Sequence, residues 1–284
     1  MASPSDTRPG TSGDEPLLVV DNVYKRFGEG ADATIAVDHM SFGVKPGEFV
    51  SVIGPSGCGK STLFNIIGGL LGEYEGEVRI GSERIMGPHP AVGMVFQEES
   101  TFPWRTVIDN VAFPLELRGA PKSERLDKAH HFIDLVGLAN FEKRYPSQLS
   151  GGMRQRVSIA RTLVSEPRIL LMDEPFAALD EQTRLLLGDK ILQIQQQLHQ
   201  TTLLITHNLT EAVQLSDRIV VMTYRPGRLK RIVNIDLPRP RTSEVVGSDA
   251  FGHYVAEIWS DLREEASRGM LDAEASVARR GARG

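Results

Sequence analysis

The chain has 284 residues, 40% hydrophobic and 24% charged, which is the balance of one large globular domain or two small ones. A formal net charge of −5 gives no global attraction to nucleic acid. The single cysteine, Cys58, excludes an internal disulfide and a multi-cysteine metal site, and fits a reducing compartment.

The first residues, MASPSDTRPGTSGDEP, lack the apolar core of a signal peptide and read as a disordered leader over 1–16. Leu17 to Phe27 and Thr34 to Val44 read as strands split by a polar turn, and Glu48 to Ile53 as a short buried strand. A helix is expected over Ser61 to Leu71, a hairpin over GEYEGEVRIGSERI, and a strand over Val92 to Phe96. From about Glu98 to Ala160 prolines punctuate helical segments such as Lys122 to Val136, the texture of a mainly helical insert. Strands return at Ile169 to Met172 and Thr202 to Ile205, with a long helix from Asp180 to His199 between them. Ile219 to Met222 and Arg231 to Ile235 read as final strands. Phe251, Tyr254, Val255, Ile258, Trp259 and Leu262 form one helical stripe, expected to pack on the body. The end, ASVARRGARG, is expected to be without structure. No apolar run approaches the ~18 residues that span a bilayer.

Between the third strand and the first helix stands GPSGCGKST, residues Gly54, Pro55, Ser56, Gly57, Cys58, Gly59, Lys60, Ser61 and Thr62. It fits G-x-x-x-x-G-K-[ST], a phosphate-binding loop. Phosphate oxygens need many donors at close range. Glycines let successive backbone N–H groups turn inward, and the helix behind points its positive N-terminus at the same place. Lys60 adds a full charge, Ser61 offers a hydroxyl to Mg²⁺, and Thr62 supports the turn. Cys58 reads as a small residue of the loop. Ile169 to Met172 ends in Asp173 and Glu174, at the carboxyl end of a strand expected to be central in a parallel sheet. Asp173 suits Mg²⁺, and Glu174 suits polarising an attacking water. Gln97 and His207 also follow apolar strands, where a terminal phosphate would be sensed.

A second anion-ready helix start occurs at LSGGMRQR, where Ser150, Gly151 and Gly152 open an amphipathic helix. Ser150 would also serve as an ordinary N-cap. One chain cannot easily wrap one nucleotide with both elements, so a dimer, each copy closing on the other's ATP, is the natural arrangement.

The series GPSGCGKST, VFQEE, LSGGM, ILLMDEP, AALD and ITH resembles, in order, the motifs of the nucleotide-binding subunits of ATP-binding cassette (ABC) transporters, across about residues 17–240. The resemblance implies an α/β fold: a RecA-like phosphate-loop core, an N-terminal antiparallel β subdomain, an inserted helical subdomain near 98–160, and a C-terminal helix and tail over 241–284. It implies that Gly54 to Thr62 bind the phosphates of ATP. Ser61, Gln97 and Asp173 serve Mg²⁺, and Glu174 is the general base. His207 contacts the γ-phosphate. Ser150, Gly151 and Gly152 grip the γ-phosphate of the other subunit, and Asp180 helps the subunits communicate. Phe27 sits where the family stacks an aromatic on adenine, with Tyr24 a rival on the opposite strand face.

EESTFPWRTVIDNVAFPLELRG and MTYRPGRLKRIVNIDLPRPR resemble the importers of nitrate, taurine and alkanesulfonates. That implies a homodimer on the cytoplasmic face of the inner membrane, bound to integral membrane permease subunits, served indirectly by a solute-binding protein, and without nucleic acid. Phe102, Pro103 and Trp104 follow Gln97, in the region where the family forms a groove for a short helix of the permease; Trp104 is either an exposed anchor there or core of the insert. The alternative is a soluble ATPase with the same cassette. Such proteins in repair carry long coiled-coil insertions, and those in translation carry two cassettes; neither is visible here.

Overall fold

The computed structural model describes residues 15–30, 33–98 and 100–281, apart from the side chains of 270 and 272–281. The expected leader lies outside these residues except for Glu15 and Pro16. Among the described residues the strands form two sheets. The first is antiparallel. β1 (Leu18–Phe27) pairs with β2 (Thr34–Val44) on one side and β4 (Glu75–Ile80) on the other, and β5 (Glu83–Arg84) closes the edge. Alternating residues of β1, among them Leu18 and Val20, are buried, as expected for a sheet covered on one face.

The second sheet runs β10-β9-β3-β8-β7-β6. β3 (Phe49–Ile53), β6 (Val92–Val95), β7 (Ile169–Asp173), β8 (Thr201–Ile205) and β9 (Arg218–Met222) are mutually parallel, and β10 (Leu229–Asn234) adds antiparallel at the edge. β3 and β8 are buried along their whole length, so they read as mostly apolar runs, with Ser51, Thr201 and Thr202 as buried hydroxyls, rather than as alternating strands. β7 lies inside the sheet but next to its edge strand β6; β3 and β8 take the centre where β7 was expected.

α1 (Lys60–Ile67) packs on this sheet with Leu63, Phe64, Ile66 and Ile67 fully buried. Each such side chain contributes about 1.5–3 kcal/mol, enough to fix the helix start in place. The helix stops four residues short of the Leu71 expected from its apolar run. Gly68 caps it, and Gly69 turns left-handed at φ 72° against the Gly87 backbone.

Between the sheet's edge and β7 come α2 (Val107–Leu117), α3 (Lys122–Leu135) and α4 (Gly151–Leu163). Val111, Phe132, Ile133, Val157 and Leu163 bury their apolar faces in one shared core with Met172 of β7. α5 (Glu181–Leu198) and α6 (Leu209–Leu215) flank β8.

α7 (Asp249–Gly281) covers the other end. Phe251, Ile258 and Leu262 are buried against Ile219, Val221 and Val233. Trp259 leaves the expected stripe and is 53% exposed. The reason is angular: it is one residue, about 100° of helix, beyond the fully buried Ile258. The helix continues to Gly281, into the segment expected to be without structure; the last three residues lie outside those described.

Candidate functional site

The carboxyl ends of β3, β7 and β8 converge on the loop between β3 and α1. Two glycines there allow no side chain. A Cβ on Gly54 would lie 2.7 Å from the Cys58 Sγ, and Gly59, at φ 106°, would put one into the Ala36 carbonyl of β2. Gly59 immediately precedes α1, so its left-handed turn aims the first free N–H groups of the helix outward. Lys60 is buried, and its Nζ donates to the carbonyls of Gly54 (2.8 Å) and Pro55 (3.0 Å). Cys58 is fully buried beneath the loop, and burial pushes its thiol up, so it stays neutral and fills space.

Above the loop opens a cavity of about 570 Å³. Ser56, Gly57, Gly59, Lys60, Ser61 and Thr62 form its floor; Phe27, Thr34, Ile35 and Ala36 form one wall, and Glu174 and Arg225 reach into it. Phe27 pairs with Thr34 across β1 and β2, which brings both to this wall. The Lys25 ammonium sits 5.1 Å from the Phe27 ring centroid. Tyr24 faces away and stacks on His39, with ring centroids 5.3 Å apart.

Asp173 ends β7. Burial, then the adjacent Glu174 charge, pushes its carboxyl above the usual range; the Ser61 hydroxyl and Lys60 pull it partly back. Gln97 is exposed just past the end of β6, the strand beside β7. A hydroxyl, a carboxylate and an amide oxygen suit Mg²⁺, which prefers oxygen donors and usually completes its shell with water and substrate phosphate. Among the described residues no group of three or more His, Cys, Asp or Glu forms a cage without phosphate.

Glu174 has a left-handed backbone, φ 44°, a costly conformation for a non-glycine residue. Its N–H donates to the Ile205 carbonyl at 2.8 Å, which fixes that turn against β8. Its carboxylate lies 3.1 Å from the Nδ1 of His207, itself 59% exposed. Behind His207, the Thr206 hydroxyl donates to Glu211 at 2.5 Å. Glu211 is buried, with its carboxyl pushed up by burial, and it pairs with Arg184 at 3.2 Å. Arg184 also donates to the Leu179 carbonyl at 2.9 Å, so one network ties the start of α5 to the histidine segment.

Ser150, Gly151 and Gly152 lie elsewhere. Ser150 caps α4, accepting from the Met153 N–H at 3.3 Å, and none of the three lines the cavity. Asp180 caps α5, accepting from the Thr183 N–H at 2.9 Å and its hydroxyl at 2.7 Å, and these bonds hold its carboxyl below the usual range. Four lining residues escaped sequence reasoning: Thr34, Ile35, Ala36 and Arg225. The first three follow from the pairing of β2 with β1. Arg225 lies in MTYRPGR, a stretch quoted above only for lineage.

Residues 37–177 match the model of the ABC transporter family. The aliphatic sulfonates import ATP-binding protein SsuB of Bacillus cereus is 45% identical over 252 residues, covering 89% of this chain and 96% of that protein. The nitrate import ATP-binding protein NrtD of a Synechocystis species is 44% identical over 237 residues, covering 81% and 89%. A dimeric structure of a post-hydrolysis state of the ATP-binding cassette MJ0796, bound to ADP and Pi, superposes with a TM-score of 0.68 at 33% identity, covering 78% of this chain and all of that one. A phosphate loop at the end of β3, paired acids at the end of β7 and relatives this similar over nearly their whole length lead to one conclusion: the chain belongs to the ABC transporter family, as an ATP-binding, ATP-hydrolysing subunit.

Proposed function

We propose that two copies of this chain bind two ATP molecules between them and drive import of a small oxyanionic solute through separate membrane subunits. The observation that carries the dimer is the division of the site: Lys60 lines the cavity, and the turn at Ser150, Gly151 and Gly152 does not. Each ATP then lies between Gly54 to Thr62 of one copy and Ser150 to Gly152 of the other, with adenine on Phe27. Asp180, exposed at the start of α5, faces the partner. The matching structure of a dimeric cassette bound to ADP and Pi supports this arrangement.

Hydrolysis follows from the geometry at β7. A water attacks the γ-phosphorus, its oxygen bonding there as the bond to the β–γ bridging oxygen breaks. Glu174 accepts the water's proton. His207, beside that carboxylate, holds the γ-phosphate. Ser61, Asp173 and Gln97 would hold Mg²⁺, whose contribution when bound is neutralisation of phosphate charge. ATP binding and product release shift the population between closed and open dimers, and the membrane subunits follow.

No helix among the described residues is long and apolar enough to cross a membrane. The import proteins among the relatives support a separate permease partner, with this subunit on its cytoplasmic face. An apolar groove of about 490 Å³, lined by Met94, Phe96, Phe102, Phe113, Pro114 and Leu117, suits a short permease helix. Trp104 stands beside it, 72% exposed, its ring 5.6 Å from that of Phe102, which rules out a place in the core. The loop carrying it is held by one buried side chain. The buried Asn110 accepts from the Phe102 N–H (2.8 Å) and donates to the carbonyls of Phe102, Arg105 and Thr106. Trp104→Ala is therefore expected to leave the unfolding midpoint unchanged and to weaken co-purification with the permease by about tenfold or more. Full retention of the permease would remove this groove from the docking surface.

The names of the relatives point to sulfonate or nitrate, and the same branch takes up taurine. A host carrying Glu174→Gln is expected to fail on one of these sources, with taurine or alkanesulfonates as sole sulfur or nitrate as sole nitrogen, and to grow normally on sulfate or ammonium. Normal growth on every source would contradict the solute class while leaving the ATPase assignment intact.

A further inference from the structure

We infer that Arg225 is a nucleotide-binding residue whose guanidinium engages the phosphates of ATP, held in position by the C-terminal helix through Glu265. This rests on the reading that the cavity between Phe27 and Lys60 receives ATP.

β9 ends at Met222 and the chain returns to β10 at Leu229. The turn between them is closed on itself. The Thr223 N–H donates to the Arg228 carbonyl (3.0 Å), the Arg228 N–H donates to the Thr223 hydroxyl (3.0 Å), and that hydroxyl donates to the Pro226 carbonyl (2.8 Å). It packs directly on the phosphate loop: a Cβ on Gly227 would collide with the Cys58 carbonyl. The Asp38 N–H donates to the Gly227 carbonyl at 2.9 Å, which ties the turn to β2 as well.

From this platform the Arg225 Nε donates to the Gly57 carbonyl at 2.9 Å. The bond uses one edge of the fork and leaves the two terminal nitrogens for a ligand. The neighbouring cations are neutralised: Arg228 pairs with Asp38, and Lys230 with Glu264 and Glu265. Arg225 has no carboxylate within ion-pair distance among the described residues, although Glu174 lines the same cavity. A cation without a carboxylate partner, bound to the backbone of a phosphate loop, is placed for an anionic ligand.

The far side of the turn is clamped by α7. Glu265, 2% exposed, accepts from the Tyr224 N–H at 2.9 Å and from Lys230 at 2.9 Å. Gly269 lets the helix approach the Tyr224 ring; a Cβ there would lie 2.9 Å from it. Glu265 touches no part of the cavity, so it acts as a positioning residue for Arg225.

The test is calorimetric titration of the full chain with ATP. Arg225→Gln is expected to bind about tenfold more weakly at low salt, with the deficit shrinking as ionic strength rises, and Arg225→Lys to recover part of the loss. Glu265→Ala is expected to weaken binding severalfold in the parent and to add nothing in Arg225→Gln, whereas additive losses would show that α7 does not act through Arg225. Parent-like affinity in Arg225→Gln, or a deficit independent of salt, would overturn the assignment. Lys60→Ala serves as the control. If it too binds like the parent, the cavity is not the ATP site; if it fails to bind while Arg225→Gln binds normally, only the inference about Arg225 falls.

Discussion

Glu174→Gln is expected to bind ATP, to hydrolyse it about a hundredfold or more slowly than the parent, and to accumulate as a dimer. The substitution keeps the shape of the side chain and removes its basicity. Shape matters here, because the residue adopts φ 44° and is tied through its N–H to Ile205. A smaller residue would also release the contact with His207, 3.1 Å away, and mix two effects. With the glutamine the phosphate loop is untouched, so affinity stays near that of the parent while the water loses its proton acceptor. The closed dimer then persists because ATP is not consumed. Steady-state hydrolysis and light scattering under saturating ATP read both effects. A monomer under those conditions would count heavily against the shared-site mechanism, and undiminished turnover would remove Glu174 from the role of base.

Lys60→Ala is the second large effect, and it acts on binding rather than turnover. The ammonium is buried and its protein partners in the described structure are the neutral carbonyls of Gly54 and Pro55. A full charge held this way, with no carboxylate attached, is available to phosphate oxygens at small reorganisation cost. Removing it withdraws the charge and leaves one of those carbonyls short of a donor; Pro55 retains the Cys58 N–H. Affinity for ATP is expected to fall about a hundredfold or more. Titration with a fluorescent ATP analogue measures this, and unchanged affinity would discredit the loop as the phosphate site.

The parts of the site that were legible in the sequence are those encoded locally. GPSGCGKST carries its strand, its turn and its helix start within a few residues, and the paired acids Asp173 and Glu174 directly follow an apolar strand core. The preference for Phe27 over Tyr24 rests on the family spacing of VYKRF; strand alternation only puts the two on opposite faces, and the structure has one on the cavity and one on His39. Contacts between distant segments were not legible. Arg225 meets Gly57 across 168 residues, and nothing in its own neighbourhood says which loop it touches. Ile35 and Ala36 line the cavity only because β2 folds back on β1. The network from Leu179 through Arg184 and Glu211 to Thr206 joins the start of α5 to the segment after β8, and nothing local in either stretch names the other. The order of the parallel strands is set by crossovers, which is why β7 was expected at the centre and lies one place from the edge.

The most direct test of the account is a disulfide between copies. Ser56 and Ser150 are both exposed, one on the phosphate loop and one capping α4, and Cys58, the single natural cysteine, is buried. A chain carrying Ser56→Cys and Ser150→Cys in the Glu174→Gln background is oxidised with and without ATP and run on a non-reducing gel. The account predicts a covalent dimer that forms with ATP and is absent without it. A chain that stays monomeric with ATP, or that links equally well without it, would contradict the claim that each ATP is enclosed by the phosphate loop of one copy and the Ser150 turn of the other.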